Sequence, residues 1–193
     1  MNPARKIRGW QLAVRLRLHG HKVGRGLTSD SWNPFFSSIS SKRKITIGDN
    51  CHFGRNLWIW VKRGAEFTLG DNCIFDGDAY IRVSCALRMG DHSGIAEHGS
   101  MRDANHGIEA GSDFMGQPSF HAPITVGRDV WIGAGCRILA GATLPDGCII
   151  GANSVVLKDS VLVPGGVYGG APVRLLKMRP QPAAANGNAK APK

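Results

Sequence analysis

Val126-Gly127-Arg128-Asp129-Val130-Trp131-Ile132-Gly133-Ala134-Gly135-Cys136-Arg137-Ile138-Leu139-Ala140-Gly141-Ala142-Thr143-Leu144 returns an apolar residue at every sixth place, and the beat continues through Ile150, Val156 and Leu162. The same step appears earlier in triplets: Ile47/Phe53/Ile59, Leu69/Phe75/Ile81 and Met89/Ile95/Met101. A helix repeats near 3.6 residues and a half-buried strand at 2, so neither produces a clean six. A coil with three short flat faces does, because each face sends one large side chain inward. Three hexads make a coil of about 18 residues, and stacked coils bury a continuous core. The reading is an all-β parallel β-helix about five or six coils tall.

Gly and Asp follow the apolar place in Ile47-Gly48-Asp49, Leu69-Gly70-Asp71 and Met89-Gly90-Asp91, residue types that tolerate positive φ and tight-turn hydrogen bonding. Cys51, Cys73, Cys85, Cys136 and Cys148 all stand four places after a hexad residue, where a small inward side chain is wanted. One shared repeat phase marks them as core residues rather than ligands or nucleophiles. Their odd number, without a CxxC pair or a signal peptide, suggests a reducing, cytoplasmic compartment.

The net charge of +10 is unevenly spread. Residues 1–44 carry +9 and residues 45–193 carry +1. The expected organisation is a basic arm or cap (1–44), a β-helix (45–177) and a disordered Pro/Ala/Asn/Gly tail (178–193). Within the arm, Ile7, Trp10, Val14 and Leu18 share one face of an amphipathic helix flanked by arginines. That face is expected to dock as a cap on the open end of the core, or to lie on anionic lipid at the inner face of a membrane. Nothing resembles a nucleic-acid-binding pattern.

Every break in the rhythm falls after the third face of a coil, and the longest follows Met101-Arg102-Asp103-Ala104-Asn105-His106. Insertions on one edge of a repeat protein often mark the binding edge. A protruding loop over 107–123 is expected, with His106 at its root as a candidate catalytic residue. Three-histidine metal binding is the competing use of such residues. It is disfavoured because no two histidines stack one coil apart, so no metal is expected.

These residues resemble the hexapeptide-repeat acyltransferases over roughly residues 45–177. The segment Pro123–Gly135 and the closing Gly169-Gly170-Ala171-Pro172-Val173-Arg174 carry the likeness most sharply. The resemblance implies a left-handed β-helix, a homotrimer with active sites between subunits, and acetyl-CoA as donor. It also implies a sugar-hydroxyl acceptor in surface polysaccharide or lipopolysaccharide synthesis. A small free sugar or a xenobiotic is the alternative acceptor, and a γ-carbonic-anhydrase-like metalloenzyme the alternative class. Carried over residue by residue, His106 is the base, with Asp76 and Asn105 as acceptor contacts; Asp76 replaces the Asn of the maltose and galactoside acetyltransferase branch. Gly107 stands where that branch has Pro. Trp131, Gly133, Ala134, Gly151 and Ala152 are expected along the pantetheine arm. Lys158 and Arg174, with Lys177 beside them, are expected at the nucleotide end of coenzyme A.

Overall fold

The computed structural model describes residues 2–31, 35–37 and 44–180. One helix, Pro3–Leu18, precedes a stack of short parallel strands arranged on three faces. The first face stacks Lys22–Val23, Lys44–Ile47, Glu66–Leu69, Ala86–Met89, Ile124–Val126 and Thr143–Leu144. The second runs through Thr28–Ser29, His52–Phe53, Ile74–Phe75, Gly94–Ile95, Trp131–Ile132, Ile149–Ile150 and Gly166–Gly169. It closes on an antiparallel strand, Arg174–Met178. The third face stacks Phe35–Ser37, Trp58–Val61, Tyr80–Val83, Ser100–Arg102, Arg137–Leu139 and Val155–Val156.

The hexad residues are the core. Phe53, Ile59, Phe75, Ile81, Ile95, Met101, Ile132, Ile138, Leu144, Ile150 and Val156 are all completely buried, while Leu162 only packs against the core. Cys51, Cys73, Cys136 and Cys148 are buried and free, and Cys85 is half-buried. Their shared phase has a second cause besides size. The thiols of Cys51 and Cys73 donate to the carbonyls of Gly70 and Gly90, each at 3.3 Å, and Cys136 donates to Gly151 at 3.1 Å. Ser93 occupies the same slot and donates to the Gly127 carbonyl at 2.8 Å. The slot therefore asks for a small donor facing the next coil. Burial pushes the thiols of Cys136 and Cys148 above the ordinary cysteine range.

Gly-Asp corners turn out to serve stacking rather than positive φ. A Cβ on Gly48 would lie 2.4 Å from Asp71 Oδ1, and one on Gly70 would lie 2.2 Å from Asp91 Oδ1. Those carboxylates reach back to accept from the amides of Asp49, at 2.7 Å, and Asp71, at 2.9 Å. The left-handed backbone falls one place later, on Asn50, Asn72 and His92. Asn and His tolerate that region better than most side chains do.

Two expectations for the ends of the chain change. The coil stack begins at Lys22, inside the segment read as an arm, because Lys22–Val23 and Thr28–Ser29 pair in parallel with the next coil. At the other end Met178 finishes a strand rather than opening a tail, and residues 181–193 lie outside the described residues.

The helix is capped as its sequence suggests, with the Asn2 side chain accepting from the Ala4 amide and Pro3 in the first turn. Its docked face, however, is Gly9, Leu12, Ala13 and Leu16. Ile7, Trp10 and Leu18 point away and are 51%, 63% and 79% exposed. Close approach explains the choice, since a Cβ on Gly9 would lie 2.0 Å from the Leu27 carbonyl oxygen. Only a face of small residues lets the helix come that near. Arg17 fastens its end through the carbonyls of Val23 and Gly24, and Arg5 pairs with Asp30.

Candidate active site

Asp103 sets the root of the long loop. Its carboxylate is completely buried and accepts three backbone amides, from Ser84 at 2.6 Å, Cys85 at 2.7 Å and Ala86 at 2.9 Å. Its carbonyl accepts from the Ala122 amide at 3.0 Å, which ties the returning end of the loop to the departing one. Above that tie, Ala104–Asn105 pairs antiparallel with Phe120–His121. His106 is the next residue, so its position is fixed by a two-strand neck on a buried anchor.

Gln117 holds the loop together from inside. Its side chain accepts from the Glu109 amide at 2.9 Å and donates to the Glu109 carbonyl and Ser112 Oγ, both at 2.9 Å. A Cβ on Gly107 would lie 2.5 Å from Gln117 Oε1. The departure at Gly107 is thus matched by the glutamine that packs on it. The loop folds on itself through a 3-10 turn at Phe114–Gly116. Its apolar tips Ile108, Phe114 and Met115 stay exposed.

His106 is exposed, with Phe114 edge-on at 5.7 Å between ring centres, and its amide donates to Asn105 Oδ1 at 2.9 Å. His106 and Asn105 line two separate cavities. One, of about 440 Å³, is walled by Trp60, Lys62, Arg82, Arg102, Ser119 and His121 among others. The other, of about 430 Å³, is walled by Gly107, Ile108, Glu109, Gln117, Pro118 and Phe120.

The remaining expected residues are not brought to this edge together. Trp131, Gly133 and Ala134 sit on the second face and the corner after it; Gly151 and Ala152 lie one coil further, in register through Ile132 and Ile150. Trp131 is 44% exposed, and a Cβ on Gly133 would lie 2.8 Å from the Ala152 amide nitrogen. Close stacking of the coils therefore accounts for Gly133 by itself. Asp76 follows the second-face strand Ile74–Phe75 and lines neither His106 cavity. Burial raises its carboxyl pKa, and the Glu97 charge adds to the effect. Lys158 lies by the loop edge, 5.7 Å from the Phe120 ring centre. Arg174 lines a different cavity, of about 400 Å³, with Leu157 and Asp159, the neighbours of Lys158.

His121, read only as the far end of the loop, shares the larger cavity with His106. Trp60, Lys62, Arg82 and Arg102 were not singled out in sequence. Trp60, Arg82 and Arg102 are register partners on successive coils, at outward positions of the third face. Among the described residues no three of His, Cys, Asp or Glu gather as a metal-holding group.

Fold and sequence together define a stacked-coil protein built on six-residue repeats. The bacterial transferase hexapeptide model (six repeats) matches residues 123–158. Over 181 residues the chain is 29% identical to galactoside O-acetyltransferase of Escherichia coli, covering 91% of this chain and 79% of that one. It is 26% identical to the putative lipopolysaccharide biosynthesis O-acetyl transferase WbbJ of E. coli, covering 72% and 74% of the two chains. Among solved structures it is similar to AntD, an N-acyltransferase from Bacillus cereus crystallised with dTDP and coenzyme A. That match has a TM-score of 0.67 and 18% identity over 89% of this chain and 90% of that one, and it speaks for the fold. Residues 123–158 thus carry the bacterial transferase hexapeptide repeat, and over most of its length the chain is similar to sugar O-acetyltransferases built on that repeat.

Proposed function

We propose that the chain is an acetyl-CoA-dependent O-acetyltransferase acting on a sugar hydroxyl of a surface polysaccharide or lipopolysaccharide precursor. The observation that carries this reading is the place of His106 between two cavities, each large enough for part of a small ligand. A sugar hydroxyl is too weak an acid to attack a thioester at neutral pH unless its proton leaves as the bond forms. His106 takes that proton, the hydroxyl oxygen bonds to the thioester carbonyl carbon, and a tetrahedral oxyanion results. Collapse breaks the carbon–sulfur bond and expels the coenzyme A thiolate, which is protonated in its turn. The products are an ester and the free thiol.

The donor residues support an assembled site. Trp131, Gly133, Ala134, Gly151 and Ala152 lie on a different edge of the coil from His106, so donor groove and base come together only if a second copy brings its corner to the loop. The homotrimer is the assembly we propose, with the exposed loop tips Ile108, Phe114 and Met115 as contacts. Lys158 and Arg174 are then placed to meet coenzyme A phosphates.

The helix adds a place of action. No helix among the described residues is long and apolar enough to cross a membrane. Ile7, Trp10 and Leu18, with half-buried Val14 between them, nevertheless form a stripe on the side away from the docked face, with Lys6 along one side and Arg8 and Arg15 along the other. That is the pattern of a helix lying in the surface of an anionic bilayer, and we place the enzyme on a cytoplasmic membrane face.

Release of coenzyme A thiol that depends on an added sugar acceptor tests the activity. Thioester cleavage at the same rate with and without every sugar tried would remove the acetyltransferase reading.

A further inference from the structure

The larger His106 cavity has a wall chemistry that a neutral sugar does not call for. Lys62, Arg82 and Arg102 face it within about 440 Å³, and among the described residues no carboxylate pairs with any of the three. The Arg82 guanidinium carbon stands 4.9 Å over the Trp60 ring centre, and that of Arg102 stands 5.7 Å over the Tyr80 ring centre. These cation–π contacts hold both guanidinium groups beside aromatic side chains. Arg82 Nε is buried and has no hydrogen-bond partner. A buried donor of that kind is costly unless a ligand or water meets it. Three cations crowded in one cavity also repel one another, and a bound anion relieves the repulsion. His121 and Ser119 line the same cavity.

We infer that this cavity selects an acceptor carrying an anionic group, a sugar phosphate or a uronic acid. Arg82, Arg102 and Lys62 hold the acidic group, and Trp60 backs the apolar side of the ring. A guanidinium edge matches a carboxylate or phosphate with two parallel hydrogen bonds, so the anion fixes orientation as well as affinity. With the acidic group anchored along the third face, the hydroxyl to be acylated faces His106 at the mouth. The inference rests on the acetyltransferase reading for its consequence, but the binding it claims is measurable without turnover.

The test is calorimetric titration of the whole protein with glucose 1-phosphate, galacturonate, galactose and coenzyme A, repeated on Arg82→Gln, Arg102→Gln and His106→Ala. At least one anionic sugar should bind, and galactose should bind at least tenfold more weakly. Each arginine replacement should weaken the anionic sugar roughly ten- to hundredfold, the range for losing one charge-assisted contact. His106→Ala should bind it as the unaltered protein does. Preference between glucose 1-phosphate and galacturonate identifies phosphate or carboxylate as the natural group. Binding of galactose equal to that of both anionic sugars, or anionic binding unchanged in both arginine variants, overturns the proposal. Competition by coenzyme A for the same site, lost in Arg82→Gln, also overturns it, because the cations would then serve the donor. If anionic sugars bind as expected but never accept an acetyl group, the failure lies with the proposed function instead.

Discussion

The buried carboxylate of Asp103 accepts a 2.7 Å hydrogen bond from the amide of Cys85, one coil earlier in the stack. The bond belongs to a set of three that leaves the turn at Ser84–Ala86 with every amide satisfied. Three residues after Asp103 stands His106, so the long loop springs from a point the core has fixed. Replacing Asp103 with Ala would leave one buried and two part-buried amide donors without their acceptor, each costing on the order of 1 kcal/mol or more. Asp103→Ala should lower unfolding stability by at least about 3 kcal/mol in a denaturant titration and lower turnover as well. Unchanged stability would show that the turn does not depend on the carboxylate.

His106→Ala should behave in the opposite way. The ring is exposed and makes one edge contact with Phe114, so folding should be unaffected. Turnover with the true acceptor should fall by about 10²–10⁴-fold, the usual contribution of a positioned acid–base group. Turnover within a few-fold of normal removes His106 from the chemistry.

Glycines at two kinds of corner should differ. Gly70→Ala would put a methyl 2.2 Å from Asp91 Oδ1 and break its bond to the Asp71 amide. Overpacking and a lost hydrogen bond together predict a cost of roughly 2–4 kcal/mol. Gly64 has φ of +83° with nothing near its Cβ direction, so Gly64→Ala should cost only about 1–2 kcal/mol of backbone strain. Thermal or denaturant unfolding of the two variants checks the order; the reverse order would rule out the carboxylate ladder as the reason for the Gly-Asp corners.

Much of this was legible because inward positions obey a period. The hexads, the small-residue phase of the cysteines and the loop edge with His106 all follow from it. What the period could not show lies where an inward place is polar or a side chain points out. Coil one was hidden because Ser29, completely buried, takes the place that Phe53 fills in the next coil. The docked helix face was misread because Ile7/Trp10/Val14/Leu18 and Gly9/Leu12/Ala13/Leu16 both suit a helix, and the larger side chains looked like core. The Leu27 carbonyl decides between them by excluding a Cβ at Gly9. Trp60, Arg82 and Arg102 meet only after insertions of unequal length have been taken up at the corners, so no fixed spacing joins them. Asp76 and Trp131 fall on the second face rather than beside His106, and a six-residue period gives every face the same signal, so it could not show which residues share an edge.

Asp76 gives a prediction in pH. Burial, with the Glu97 charge, raises its folded-state carboxyl pKa above the ordinary aspartate value. Below that ordinary value both states hold the proton and Asp76 has no effect on stability. As pH rises toward the folded-state value, the unfolded chain gives up the proton first, and stability is lost. Asp76→Asn should therefore match the unaltered protein at low pH and exceed it increasingly as pH rises through that window. The gain should be modest because Asp76 is only partly buried. A stability difference constant with pH would mean that Asp76 does not titrate abnormally.

Membrane contact can be separated from capping because the helix uses different faces for each. Leu12 and Leu16 are buried against the coils, whereas Ile7 and Trp10 are half or more exposed. Leu16→Ala should cost about 2–5 kcal/mol of folding stability, as large-to-small core changes do. Ile7→Ser combined with Trp10→Ser should leave stability within about 0.5 kcal/mol, the usual range for surface changes. If the stripe lies in a bilayer surface, the double variant should lose at least about tenfold in partitioning to vesicles of acidic phospholipid, because two apolar side chains no longer leave water. Added salt should weaken the binding of the unaltered protein, since exposed cations are screened over about 8 Å at physiological ionic strength. Equal partitioning of the double variant and the unaltered protein would confine the helix to its capping role.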